Sequence, residues 1–300
     1  MSVNQAVVFT KPLHHLGIHL SPEALDERVQ SYFNEKGFKI VLKREVSGPE
    51  LAAREVIKQH YLIYSSAVYA DPLELTAEGK DRFAAAFGKQ WDEEVAAGRV
   101  LSTAKLLTEK KMNADGLFVY WNALFTNKQT AKVQDGVIMG YIEELDAYCV
   151  NAFYPAMEAN FYAPSTRITY YVMEFDSEQT SWLDFRKKVL GSTNAAAADS
   201  ESFRGRLYAE FPVEYPGRDN FVHGSAGPFE GFVERLVHEP GMDMTANPIG
   251  RYLAKDGVTI DSFAAWKNKQ SIERIGDLFD ATEEQDTEAV LPILAATDWD

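Results

Sequence analysis

The chain has 300 residues, 46% of them hydrophobic and 25% charged, with a net charge of −15. That balance suits one large or two smaller globular domains whose core needs neither disulfide nor structural metal. The acidity excludes a nucleic-acid or anionic-membrane surface, since both need a basic footprint. The single cysteine, Cys149, rules out an internal disulfide and reads as a small buried hydrophobe.

No apolar run reaches the roughly 18 residues that span a bilayer. The opening MSVNQAVVFTKPLHHLG lacks a charged segment followed by an apolar one, so it reads as the start of a folded domain. A cytoplasmic protein is expected, with an organelle left open.

In chain order, AVVFTK (residues 6–11) predicts a buried strand with Lys11 at its mouth, closed by Pro12. Ser21-Pro22-Glu23 is a helix start: an N-cap, a proline at the first helical position and an acid in the first turn. Leu25, Val29, Tyr32 and Phe33 share one face of that helix, and Gly37 ends it. FKIVLKREV (38–46) predicts a second strand and GPELAAREVIKQHY (48–61) a second helix. His14, His15 and His19 are spaced unlike a metal site on one helix face and read as a solvated loop.

Residues 62–150 have a different character. They hold a long helical pattern over about 76–97, a strand-like GLFVYW and a polar turn TNKQTAKVQDG, and their aromatic content marks a folded insertion, not a linker. ITYYVMEF (168–175) is a strong strand, WLDFRKKVLG (182–191) a helix closed by Gly191, AAAADS and 202–210 short helical pieces, and FEGFVERLVHE after Pro228 an amphipathic helix. A helical pattern near 262–279 and the acidic tail EEQDTEAVLPILAATDWD suggest an arm lying on the surface or on a neighbouring subunit. This order predicts an α/β (α+β) sandwich, with helices packed on one sheet.

No GxxxxGK[ST], GxGxxG, CxxC or HExxH occurs. His223-Gly224-Ser225-Ala226-Gly227 is not a nucleophile elbow, because that motif needs glycine where His223 stands. The C-terminal half is more specific. Gly191-Ser192-Thr193-Asn194, Arg204-Gly205, Asn220, His223-Gly224-Ser225 and Glu234 follow one another in that order. The order and spacing resemble the nucleoside diphosphate kinase family, whose chains carry G-x-T-N-P, I-R-G, N-x-x-H-G-S-D-S and a downstream glutamate. Lys11-Pro12 resembles the family's K-P-D, EKGFKIV its second strand, and Phe153-Tyr154-Pro155-Ala156-Met157 the stretch that grips the base. The resemblance covers about 6–61 and about 150–238.

The resemblance implies a ferredoxin-like βαββαβ sandwich, split as 1–61 and 151–239, with an insertion over 62–150 and an extension over 240–300. It implies transfer of the γ-phosphoryl of ATP to nucleoside diphosphates through a phosphohistidine on His223, which places the chain in nucleotide metabolism. Histidine suits that relay because neutral imidazole is nucleophilic near neutrality. Glu234 would orient the ring. Lys11 and Arg204 would hold phosphate oxygens, with Lys187 or Arg186 as a third cation and Thr193 binding through its hydroxyl. Asn220 and Lys11 would contact the sugar, Phe153 and Met157 the base, and Tyr61 would stand near the histidine. Mg²⁺ would travel with the nucleotide, and a homo-oligomer is expected. The pattern departs at Leu13, Lys187, Ala195 and Ala226, which leaves a nucleotide-binding or assembly module without turnover as the alternative.

Overall fold

The computed structural model describes residues 3–299 and divides into two compact units. The first comprises residues 3–56, 160–270 and 278–299; the second comprises 57–159 with 271–277.

The first unit is built on a four-stranded sheet of β1 (Val3–Thr10), β2 (Lys39–Ser47), β6 (Arg167–Asp176) and β7 (Val222–Gly224), in the order β2-β6-β1-β7. Every neighbouring pair is antiparallel. The helix Pro22–Glu35 connects β1 to β2, and the helix Phe203–Glu210 lies between β6 and β7. Numbered within this sheet alone, the strand order is 2-3-1-4, which is the interleaved βαββαβ arrangement of the ferredoxin-like sandwich. The α+β class is therefore carried by the strand pairing itself.

Local chemistry explains the elements. Ser21 Oγ accepts from the Ala24 N–H at 3.1 Å, and Pro22 begins the helix without an orphaned donor. That helix buries Leu25, Val29, Tyr32 and Phe33 against Tyr171, Met173, Phe185 and Phe203. β1 is buried from Asn4 to Thr10 because layers cover both faces of the sheet. On the second layer Phe229 and Phe232, from the helix Pro228–His238, pack with Met244, Ile249, Leu253, Phe263, Trp266, Val290 and Leu294.

The second unit holds an antiparallel meander of β3 (Thr130–Gln134), β4 (Val137–Ile142) and β5 (Ala147–Val150). Its core gathers Leu75, Phe83, Trp91, Val133, Met139, Tyr148 and Val150. Asn151 ties this meander to its helices: its Nδ2 donates to the Gly136 and Tyr64 carbonyls, and its Oδ1 accepts from the Ile138 N–H. Cys149 is buried, and desolvation pushes its thiol up to about 12, so it behaves as an apolar side chain.

Several elements differ from the sequence expectations. GLFVYW is helical, inside Ala114–Thr126, because its apolar residues fall on a helical face with Leu117, Phe118 and Trp121 buried. The long pattern over 76–97 is two helices, Ala77–Phe87 and Trp91–Ala96, separated where Gly88 adopts φ +65°. GPELAAREVIKQHY likewise breaks at Glu55, φ +48°, into Gly48–Ala53 and Val56–His60. Part of TNKQTAKVQDG is β3. The C-terminal tail is no surface arm. Its helix Thr287–Ala295 buries Val290 and Leu294 completely, and the Asn4 side chain bonds both Asp286 and Thr287.

Candidate active site

His223 stands in β7, a strand of three residues held to the centre of the sheet by pairing with β1. Phe221, just before it, is fully buried at φ +68° and is fixed by the Lys11 N–H, which donates to its carbonyl at 2.7 Å. In the β1–β7 register Phe9 lies directly opposite His223. The two rings therefore stack, with centroids 4.5 Å apart and planes at 17°. Phe9 also packs against Phe161 and His238, and His238 stacks on Tyr170.

His223 Nε2 lies 2.7 Å from Glu234 Oε1. The second oxygen of Glu234 accepts from Ser225 Oγ at 2.6 Å, and Ser225 Oγ accepts from the Val7 N–H at 2.9 Å. A chain of bonds thus runs from the central strand through a hydroxyl and a carboxylate to the ring. Glu230 sits one helical turn before Glu234 and accepts from the Ala226 N–H at 3.0 Å.

Burial sets the charge states. It holds His223 well below the ordinary imidazole range, and Lys11, Arg204 and Arg186 add to that shift against Glu230. It also pushes the Glu230 and Glu234 carboxyls well above theirs, with Glu234 as a like charge on Glu230. Lys11 is lowered to about 7, first by desolvation, then by Arg204 and Arg218 against the opposing pull of Asp219. Its Nζ donates to the Arg218 carbonyl at 3.1 Å.

The structure brings His223, Glu234, Lys11 and Arg204 into one electrostatic neighbourhood. Arg204 is buried and serves the backbone: Nη2 and Nε donate to the Val222 carbonyl, and Nη1 donates to that of Gly191. Gly191 has φ +95°, and a Cβ there would stand 2.3 Å from Ser202 Oγ, so only glycine allows this turn. Thr193 is exposed, and its carbonyl, not its hydroxyl, is the observed partner, accepting from Asn220 Nδ2 at 2.7 Å. Asn220 is buried, and its Oδ1 has no hydrogen-bond partner. Arg186 is paired with Glu283 and Glu284, while Lys187 is 62% exposed and paired with Glu284.

Tyr61, Phe153 and Met157 belong to the second unit. There Phe153 packs edge-on against Tyr64 and tilted against Trp121, Met157 is buried, and Tyr61 precedes the helix Leu62–Tyr69 with its ring against His60. The segment of His14, His15 and His19 is the loop expected from spacing, with His14 and His19 exposed; His15 Nε2 bonds Asp219 at 3.2 Å, and His14 Nδ1 lies 3.3 Å from Thr166 Oγ1.

Sequence reasoning gave no role to Phe9, Ser225, Glu230 or Asp219. The i, i+4 spacing of Glu230 and Glu234 behind Pro228 was a usable signal for the carboxylate pair. Nothing local marked Phe9, whose position follows only from the β1–β7 register.

No protein-family model matches the sequence, and no curated protein matches it. Among solved structures, the chain is similar to the apo nucleoside diphosphate kinase from Encephalitozoon cuniculi, at 14% identity over 80% of this chain and 90% of that one, TM-score 0.37. It is similar to the Aquifex aeolicus nucleoside diphosphate kinase at 11% identity over 80% and 97%, TM-score 0.38. It is likewise similar to an NDP kinase from Pyrobaculum aerophilum at 16% identity over 78% and 94%, TM-score 0.35. Likeness at this level assigns no activity, and the fold rests on the strand order given above. No described helix is long and apolar enough to cross a membrane.

Proposed function

We propose that the chain is a nucleoside diphosphate kinase-like phosphotransferase that passes the γ-phosphoryl of ATP to nucleoside diphosphates through a phosphohistidine on His223. The observation that carries this reading is the Ser225–Glu234–His223 chain of hydrogen bonds, which holds a buried neutral imidazole by Nε2.

In the first step Nδ1 of His223 bonds to the γ-phosphorus as the bond to the bridging oxygen breaks, and that oxygen leaves with its electron pair on ADP. The positive charge that develops on the ring is balanced by the Glu234 carboxylate. In the second step a terminal oxygen of another nucleoside diphosphate attacks the phosphorus and restores the neutral imidazole. Phosphoryl transfer of this kind depends on positioning and charge neutralisation. Lys11 would supply that charge, because an approaching phosphate favours its ammonium form. The partnerless Asn220 Oδ1 supports a ligand hydroxyl, such as that of a ribose, as its donor. Glu230 and Glu234 are engaged with Ala226, Ser225 and His223, so Mg²⁺ would be carried on the nucleotide's own phosphate oxygens.

The alternative, a nucleotide-binding or assembly module without turnover, draws on the cations. Arg204 donates to main-chain carbonyls, and Arg186 and Lys187 are paired with carboxylates. Incubation with γ-labelled ATP separates the two. The first reading expects an acid-labile label that disappears in His223→Ala and is released by added ADP. An unlabelled native chain that still binds ADP would establish the second.

A further inference from the structure

Two basic residues next to the candidate site are held by acidic residues from the far end of the sequence. Glu283 and Glu284 occupy the turn before the helix Thr287–Ala295. Arg186 Nη1 bonds Glu283 Oε1 and lies 3.2 Å from Glu284 Oε1, while Lys187 Nζ lies 3.1 Å from Glu284 Oε2. The acidic turn is seated on the loop that follows the histidine. The Glu284 N–H donates to the Ala226 carbonyl at 2.9 Å, and the Thr282 carbonyl lies 2.6 Å from where a Cβ on Gly227 would stand. Gly227 thus has no side chain because another strand of backbone fills that space.

Arg186 is only 22% exposed, and its charge acts on both His223 and Glu230. It is one of the cations, with Lys11 and Arg204, whose charge reaches the imidazole. Two carboxylates on one guanidinium and its neighbouring ammonium cancel their joint charge. A ligand phosphate approaching Arg186 must displace these carboxylates or share the cation with them, and it meets like charge in doing so.

Resting on the phosphotransferase reading, we propose that Glu283 and Glu284 are specificity-determining residues that neutralise Arg186 and Lys187 and so set the site against densely charged phosphate groups. The discrimination acts on the phosphate end of a ligand and leaves an uncharged nucleoside unaffected. Exchange to glutamine keeps the side-chain size, and the Glu284 N–H bond to Ala226 does not depend on the side chain.

The test is isothermal titration calorimetry at low ionic strength with ADP and with adenosine. In the double variant Glu283→Gln/Glu284→Gln, ADP should bind about tenfold more tightly and adenosine equally well. A second variant adds Arg186→Gln to the double variant and should lose most of that gain, because the cation the glutamates had screened is gone. ADP affinity that is unchanged or weaker in the double variant overturns the proposal, as does a triple variant that keeps the full tenfold gain. Both results would leave the nucleotide reading standing. Failure of ADP to bind either form would overturn the proposal and that reading together.

Discussion

Glu234 and His223 meet through a hydrogen bond of 2.7 Å at Nε2, and the carboxylate that makes it is clamped at its other oxygen by Ser225. A carboxylate fixed at both oxygens has one orientation, so the ring plane and the direction of Nδ1 are set by β1 and the Pro228 helix together. Stacking on Phe9 removes the remaining freedom to tilt.

This relationship gives a pH dependence with a definite sign. Only an ionised Glu234 can accept the Nε2 proton and leave Nδ1 as a lone pair. Burial raises the Glu230–Glu234 pair and lowers His223, so the limb near neutrality belongs to the carboxylates and not to the imidazole. The rate of labelling by γ-labelled ATP should therefore climb from about pH 6 to about pH 9, where ordinary carboxyls would give a flat line. Glu230→Ala removes a side-chain hydrogen bond that lowers Glu234 and should move the climb to higher pH. Glu234→Gln should lower the rate on the order of a hundredfold while leaving ADP affinity within about twofold. A flat profile for the native chain would remove the carboxylates from the mechanism.

Arg204 makes a second, purely geometric prediction. Its guanidinium fork joins the Val222 carbonyl to that of Gly191, and Val222 immediately precedes His223. Lysine keeps the charge but cannot span both carbonyls. Arg204→Lys should lose roughly 2 kcal/mol in urea unfolding and should also slow labelling, because β7 would be poorly held. Undiminished stability would mean that the fork is not what fixes the strand.

Lys11 can be tested on stability alone. Its value in the free chain, 10.5, falls to about 7 in the fold. Between those values the unfolded chain holds a proton that the folded chain lacks, so stability rises with pH across that window. Below about 7 both states are charged and the cost of burying the ammonium is complete. Lys11→Met should therefore be more stable than the native chain by roughly 2 kcal/mol at pH 6, and the gap should close as pH approaches 10. Urea midpoints at the two pH values read this directly.

The parts legible in the sequence were those that carry their own local signal. Ser21-Pro22 announced a helix start, and the ordered set Thr193, Arg204, Asn220, His223 and Glu234 pointed to one region of the chain. Hydrophobicity alone misread GLFVYW, because a short apolar run does not distinguish a buried helix from a strand. The stack of Phe9 on His223 depends on a pairing between residues more than 200 positions apart, which no local window contains. The same holds for Arg186 with Glu283. Glu283 alone reads as an ordinary surface charge, and only the folded chain shows that it cancels Arg186. The tail was misread for a further reason. Its acids flank an unbroken apolar run, AVLPILAA (289–296), and from that run Val290 and Leu294 complete the layer over Phe229 and Phe232.

The bond between Asn4 and the Asp286–Thr287 pair spans more than 280 residues. Its two halves are synthesised far apart in time. While the chain is still growing on the ribosome, β1 has no partner until β6 emerges, and its bond to Asp286 and Thr287 must wait until those residues have been made. Most of the second unit, residues 57–159, is encoded between β2 and β6, ahead of the first unit's remaining strands. A chain truncated before residue 260 would thus contain both His223 and Glu234 and yet lack most of the layer packed on Phe229 and Phe232.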